Sequence, residues 1–89
     1  MLYTFSQSHY SEAELRDYCA QFNENDTVIL WQDGVLLALK FQNLLSQSNA
    51  AIFVLEQDLQ ARALQTDFAT ISMEELVDLT EKYFPQVAL

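Results

Sequence analysis

Apolar positions fall into short runs separated by polar turns, and the period within each run changes along the chain. Residues 28–31, Val28-Ile29-Leu30-Trp31, are apolar without a break and rich in β-branched and aromatic side chains, which predicts a strand buried on both faces. Residues 2–5, 51–55 and 69–71 read as three further strands. Between them the pattern turns helical. Ser11 with Glu14 three residues later forms a capping-box signature, and the helix it opens runs to about Phe22 with Leu15, Cys19 and Phe22 as its inward stripe and Tyr18 at the edge. Ser72 with Glu75 repeats the signature. The last helix places Met73, Leu76, Val77, Thr80 and Phe84 on one stripe before Pro85 stops it. A shorter helix is expected over residues 58–64.

The central helix, residues 35–45, differs from the others. Asp33-Gly34 breaks the preceding strand; Asp33 is expected to cap the helix, and Gly34 to let the backbone turn without a Cβ clash. Beyond it Val35, Leu36, Leu37, Ala38, Leu39, Phe41, Leu44 and Leu45 spread around most of the circumference. A surface helix of a small monomer keeps a polar face. Its absence predicts packing on the sheet and on another subunit, with Val35, Leu36, Leu37, Leu39 and Phe41 as the contact residues.

Strands alternating with helices over short connections predict an α/β fold, a single domain spanning 1–89 with a mainly parallel four-stranded sheet and helices on both faces. Eighty-nine residues allow one modest core, and an apolar content of 51% exceeds what such a core can hide, which also favours an oligomer. Four Lys and Arg against thirteen Asp and Glu give a formal charge of -9, so direct nucleic-acid binding is not expected. The start of the sequence has neither the basic flank nor the long apolar core of a signal peptide, and no run reaches the length of a membrane span; a cytoplasmic protein with no membrane contact is expected.

In a parallel sheet of this kind the crevice lies beyond the C-terminal strand ends, here residues 6–10, 32–34 and 56–58. No Gly-rich phosphate loop stands there, and no cofactor or metal is expected. His9 lacks a nucleophile or carboxylate partner in the pattern. Glu56 and Asp58 could form a carboxylate pair, although Asp58 reads equally well as a helix cap. Arg62 stands one turn after Asp58, a spacing that suits an ion pair. Cys19, the only cysteine, excludes an intrachain disulfide and a thiolate metal cluster. It falls near its helix's C-terminus among Asp17, Glu24 and Asp26, surroundings that oppose a thiolate, so a buried core thiol is favoured over a reactive one.

Four stretches carry a resemblance. Trp31-Gln32-Asp33-Gly34-Val35 after an apolar strand is similar to the LLQDGV signature of the TusB/DsrH family, and residues 58–64, DLQARAL, resemble its DLxARGL, with Ala63 in place of the usual glycine. Met1-Leu2-Tyr3-Thr4 with Ser8, and the tail from Ile71 to Leu89, are similar to the family's two ends, although Leu89 replaces a terminal Trp. The resemblance implies a flavodoxin-like arrangement and marks Asp33, Gly34, Asp58 and Arg62 as its motif residues. It implies a non-catalytic subunit of a sulfur-relay heterohexamer with TusC-like and TusD-like chains, which passes persulfide sulfur toward 2-thiolation of the transfer-RNA wobble uridine. The catalytic cysteine of such complexes belongs to the TusD-like chain. The alternative is a persulfide carrier that uses Cys19 in a sulfur-transfer or sulfur-oxidation complex, since some sulfur-oxidising relatives carry a cysteine in this helix.

Overall fold

A computed structural model of the chain describes residues 1–82 and 86–89; Phe84 and Pro85, expected at the end of the last helix, lie outside the described residues. Strands β1 (Leu2–Phe5), β2 (Thr27–Leu30), β3 (Ala51–Leu55), β4 (Ala69–Ile71) and β5 (Gln86–Ala88) form one sheet in the order β4-β3-β2-β1-β5, with every neighbouring pair parallel. The expected four strands are therefore joined by a fifth at the β1 edge. From β1 to β4 the chain moves steadily to one side; it then returns across the sheet to place β5 beyond β1. This order differs from the 2-1-3-4-5 of flavodoxin itself, while the parallel sheet flanked by helices is as expected.

Strand alternation sorts the side chains between the two faces. Phe5, Val28, Leu30 and Val54 share a core with Leu15 and Cys19 of helix α1 (Glu12–Gln21), with its C-cap Phe22 and with the segments that connect β2 to β4. Leu2, Ile29, Leu55 and Ile71 face the other way and meet Leu76 of α5 (Met73–Lys82). β2 is buried along its whole length, as its unbroken apolar run predicts. One face thus carries several helical segments, and the other is packed by α5.

Both capping boxes form. Ser11 Oγ accepts from the Glu14 amide at 3.1 Å while Glu14 Oε1 accepts from the Ser11 amide at 3.2 Å. The Ser72 and Glu75 pair does the same, both bonds being 3.1 Å. Aromatic packing fixes α1 and the loop before it to β1: the Phe5 ring lies 5.4 Å from Tyr10, 5.9 Å from Tyr18 and 6.4 Å from Phe22, in edge-to-face arrangements. At the opposite end of the sheet, buried Asp26 accepts from the Asn23 amide at 2.9 Å and from the α-ammonium of Met1 at 3.2 Å.

The central helix is not one helix. A 3-10 turn, Gln32–Leu36, leads into α2 (Leu37–Lys40), the backbone breaks at Phe41 (φ -124°, ψ 38°), and α3 (Gln42–Ser46) follows. The change of axis lets residues from all round the expected circumference reach the same core: Val35, Leu37 and Ala38 are fully buried and Leu45 nearly so. That accounts for four of the eight apolar residues of the segment without a partner. Val35 and Leu37 are accordingly core residues rather than contact residues. Leu36 and Phe41 are half-buried, and Leu39 is 42% exposed.

The short helix α4 spans Glu56–Ala61, two residues earlier than expected, with Arg62 as its C-cap. Ala63 has a left-handed backbone, φ 52°. Its amide donates to the Gln60 carbonyl at 3.1 Å and the next amide, of Leu64, to the Leu59 carbonyl at 2.9 Å. This pair of bonds defines a Schellman ending, and Leu59 and Leu64 pack in the same core beneath it.

Candidate functional site

The C-terminal strand ends meet at a junction built from Asp33, Gly34, Asp58 and Arg62, the four residues singled out as a motif. Two turns create it. Gln32, just after β2, takes a left-handed conformation at φ 52°, which directs the chain into the 3-10 turn. Its amide donates to Asp58 Oδ2 at 2.6 Å. Arg62, at the end of α4, then bridges two segments: Nη2 donates to Asp33 Oδ1 at 2.8 Å and Nη1 to the Asp58 carbonyl at 3.1 Å. The expected Asp58–Arg62 ion pair is present but longer, 3.8 Å.

Two expectations are corrected here. Asp33 caps nothing with its side chain; Trp31 is the N-cap of the 3-10 turn and offers no side-chain bond, and Asp33 serves as the carboxylate partner of Arg62. Asp58 is not the N-cap of α4 either, because Leu55 holds that place; Asp58 sits in the first turn and receives the Gln32 amide instead. With Asp58 so engaged and Glu56 exposed beside Gln60, the two are not poised as an acid–base pair.

Gly34 is buried against the first strand. A Cβ there would lie 2.0 Å from the Phe5 carbonyl oxygen and 2.7 Å from its carbon. Glycine is required by this close approach; the left-handed residue of the turn is Gln32. The Phe5 carbonyl also accepts the Trp31 amide at 3.1 Å, so the ends of β1 and β2 are tied together at one place.

Of the first-loop residues, His9 is exposed, and Tyr10 packs against Phe5 and Tyr18. Burial, then the neighbouring Tyr18 and Glu14, push the Tyr10 hydroxyl pKa up. Cys19 is 9% exposed, within the α1 side of the core, and desolvation raises its thiol pKa. It forms part of the floor of a surface depression of about 240 Å³ between α1 and the 44–49 segment, with Arg16 among its walls. Arg16 itself pairs with Glu12 at 2.8 Å.

Leu39 and Phe41, at the break between α2 and α3, line a second depression of about 360 Å³ with Lys40, Gln42 and Glu12. The Lys40 ammonium lies 5.3 Å from the centre of the Phe41 ring, a cation–π distance. Sequence patterns did not single out Trp31, Met73 and Val77 as surface-forming; they line a groove on the other side of the sheet, and the one signal was that Met73 and Val77 stand a single turn apart on an amphipathic helix. Among the described residues no helix is long and apolar enough to cross a membrane.

The family described as DsrH like protein matches residues 7–86. An uncharacterised protein of Haemophilus influenzae is 46% identical over 95 aligned positions, covering all of both chains. Protein TusB of Yersinia pestis is 41% identical over 95 aligned positions and covers 99% of each. Among solved structures, the solution structure of Protein Tm0979 from Thermotoga maritima superposes with a TM-score of 0.66 over 96% of this chain and 100% of that one, at 22% identity, a likeness of fold.

Proposed function

The chain belongs to the DsrH-like family, and from that premise we propose that it is a non-catalytic subunit of a sulfur-relay complex, assembled with TusC-like and TusD-like chains. The proposed assembly is a heterohexamer in the cytoplasm that passes persulfide sulfur toward 2-thiolation of the transfer-RNA wobble uridine. One observation carries the non-catalytic role: the only cysteine is a core residue, 9% exposed, and burial there raises its thiol pKa. The thiolate is the nucleophile in persulfide exchange, and activating it calls for a cation, a metal or a helix N-terminus. Cys19 lies in the last turns of α1, which has no basic residue there, and nearby Arg16 is paired with Glu12.

The strand-end junction fits the same role. Its charged groups hold β2, the 3-10 turn and α4 in register. The partner-facing residues of the central segment are Leu36, Leu39 and Phe41.

A carrier role for Cys19 draws on its place in the floor of the Arg16 depression. The test is to load the co-expressed complex with labelled persulfide and compare wild type with Cys19→Ala. Transfer is expected to persist in the variant. Label mapped to Cys19, together with loss of transfer in a folded Cys19→Ala complex, would assign the carrier role to this chain.

A further inference from the structure

On the face of the sheet opposite α1, a groove of about 390 Å³ runs between α5 and the β1–β5 edge, walled by Trp31, Met73, Leu76, Val77, Gln86 and Ala88. Met73 is 40% exposed and Val77 47%, two of the four large apolar side chains left open among the described residues. They stand one helical turn apart and form a ridge. The groove is held in shape by the Gln86 side-chain amide, which donates to the Thr80 carbonyl and ties the last turns of α5 to β5. Trp31, in the same wall, keeps a buried indole N–H that meets no acceptor among the described residues.

Charge selects the occupant. Glu74 lies three residues before Val77 and Glu81 four after it, both exposed, so the apolar ridge is flanked by carboxylates along the same stripe. A second copy of this chain, with a net charge of -9, would bring like charge against like. A ridge with one-turn spacing interdigitates with the side-chain rows of another helix. We infer that the α5–β5 groove receives the apolar face of a helix from a different, basic-flanked chain, with Lys or Arg placed against Glu74 and Glu81.

This goes beyond the partner face at Leu36, Leu39 and Phe41 but rests on the reading that the chain works in a complex. The full chain is co-expressed with its TusC-like and TusD-like neighbours, and wild type is compared with Val77→Arg, Met73→Lys and the double variant Glu74→Lys/Glu81→Lys. Melting temperatures establish that each variant folds. Retention is measured at low and high salt, and amide hydrogen exchange of α5 is followed with and without the partners. We expect α5 amides to be protected in the complex and Val77→Arg to weaken retention by about tenfold or more, as loss of an interface anchor does. The double variant should also weaken retention and remove much of its salt dependence. Wild-type retention in folded Val77→Arg and Met73→Lys, with unchanged α5 exchange, overturns the groove assignment and leaves the proposed complex standing. A wild-type chain that retains neither partner overturns the complex itself and this inference with it, and a dimer of this chain joined through α5 overturns the choice of occupant.

Discussion

Replacing Gly34 by alanine pits two opposite expectations against each other. By intrinsic preference the change should help, because glycine in a helical turn is about 0.5–1 kcal/mol less favourable than alanine. The packing says otherwise. The added Cβ would stand 2.0 Å from the Phe5 carbonyl oxygen, a backbone atom that must retreat by roughly 1 Å to relieve the overlap. That oxygen also accepts the Trp31 amide at 3.1 Å, at strand ends where Phe5 and Leu30 are themselves fully buried. Overpacking of this kind costs about 1–3 kcal/mol, and a weakened buried hydrogen bond about 1 kcal/mol more. Less the propensity gain, Gly34→Ala should destabilise the domain by about 1–3.5 kcal/mol, against the roughly 4–13 kcal/mol available to a domain of this size. Urea unfolding followed by far-ultraviolet circular dichroism measures it directly. The melting temperature should fall by about 5–25 °C. A Gly34→Ala chain as stable as wild type, or more so, would show that the 3-10 turn can lift off Phe5 at little cost and would refute the account of why glycine stands there.

Ala63→Gly should stabilise the chain by about 1 kcal/mol, because Ala63 holds the left-handed position of a Schellman ending where an L side chain is strained; chemical denaturation of the two proteins side by side checks it. Arg62→Met keeps the aliphatic stem but removes the bonds to Asp33 and to the Asp58 carbonyl, and should cost about 1 kcal/mol, with faster hydrogen exchange of the 32–36 amides. Cys19 should resist alkylation by iodoacetamide at pH 8 in the folded chain and react on unfolding. Because burial raises its pKa above the ordinary 9.0, its contribution to stability is complete below pH 9 and falls as the pH rises through the folded-state value, so alkaline unfolding should begin later in Cys19→Ala than in wild type.

Where the determinants are local, sequence and structure agree. Ser11 with Glu14 and Ser72 with Glu75 act over three residues, and both close as capping boxes. Residues 28–30 of β2 are apolar at every position because both faces of the strand are covered, and burial follows. The single helix expected over residues 35–45 is broken in the structure, because periodicity assumes a straight axis. With a 3-10 turn before α2 and a backbone break at Phe41, Val35, Leu37 and Leu45 all face one core, although no straight helix would place them together. Spacing suggested Asp58 as the ion-pair partner of Arg62; the shorter bond goes to Asp33, 29 residues away, and depends on a left-handed Gln32 that nothing in the local pattern demands. The β5 pairing was likewise hidden, since three residues with one half-buried side chain leave little alternation to detect.

The two motif stretches, QDG and DLQAR, are one structural unit, and their arrangement bears on what the crevice can do. Open α/β sheets bind ligands beyond the strand ends because backbone amides and charged side chains there are left free to meet them. In this chain the Gln32 amide is taken by Asp58, the Arg62 guanidinium by Asp33 and the Asp58 carbonyl, and the space beside Phe5 by the backbone of Gly34. A ligand that displaced these bonds would release the 3-10 turn that carries Val35 into the core. The junction is therefore a brace across β1, β2 and α4. It holds the broken central segment in the one orientation that buries Val35, Leu37 and Leu45 while leaving Leu39 and Phe41 at the surface, so that the same contacts that fill the crevice also present the proposed partner face.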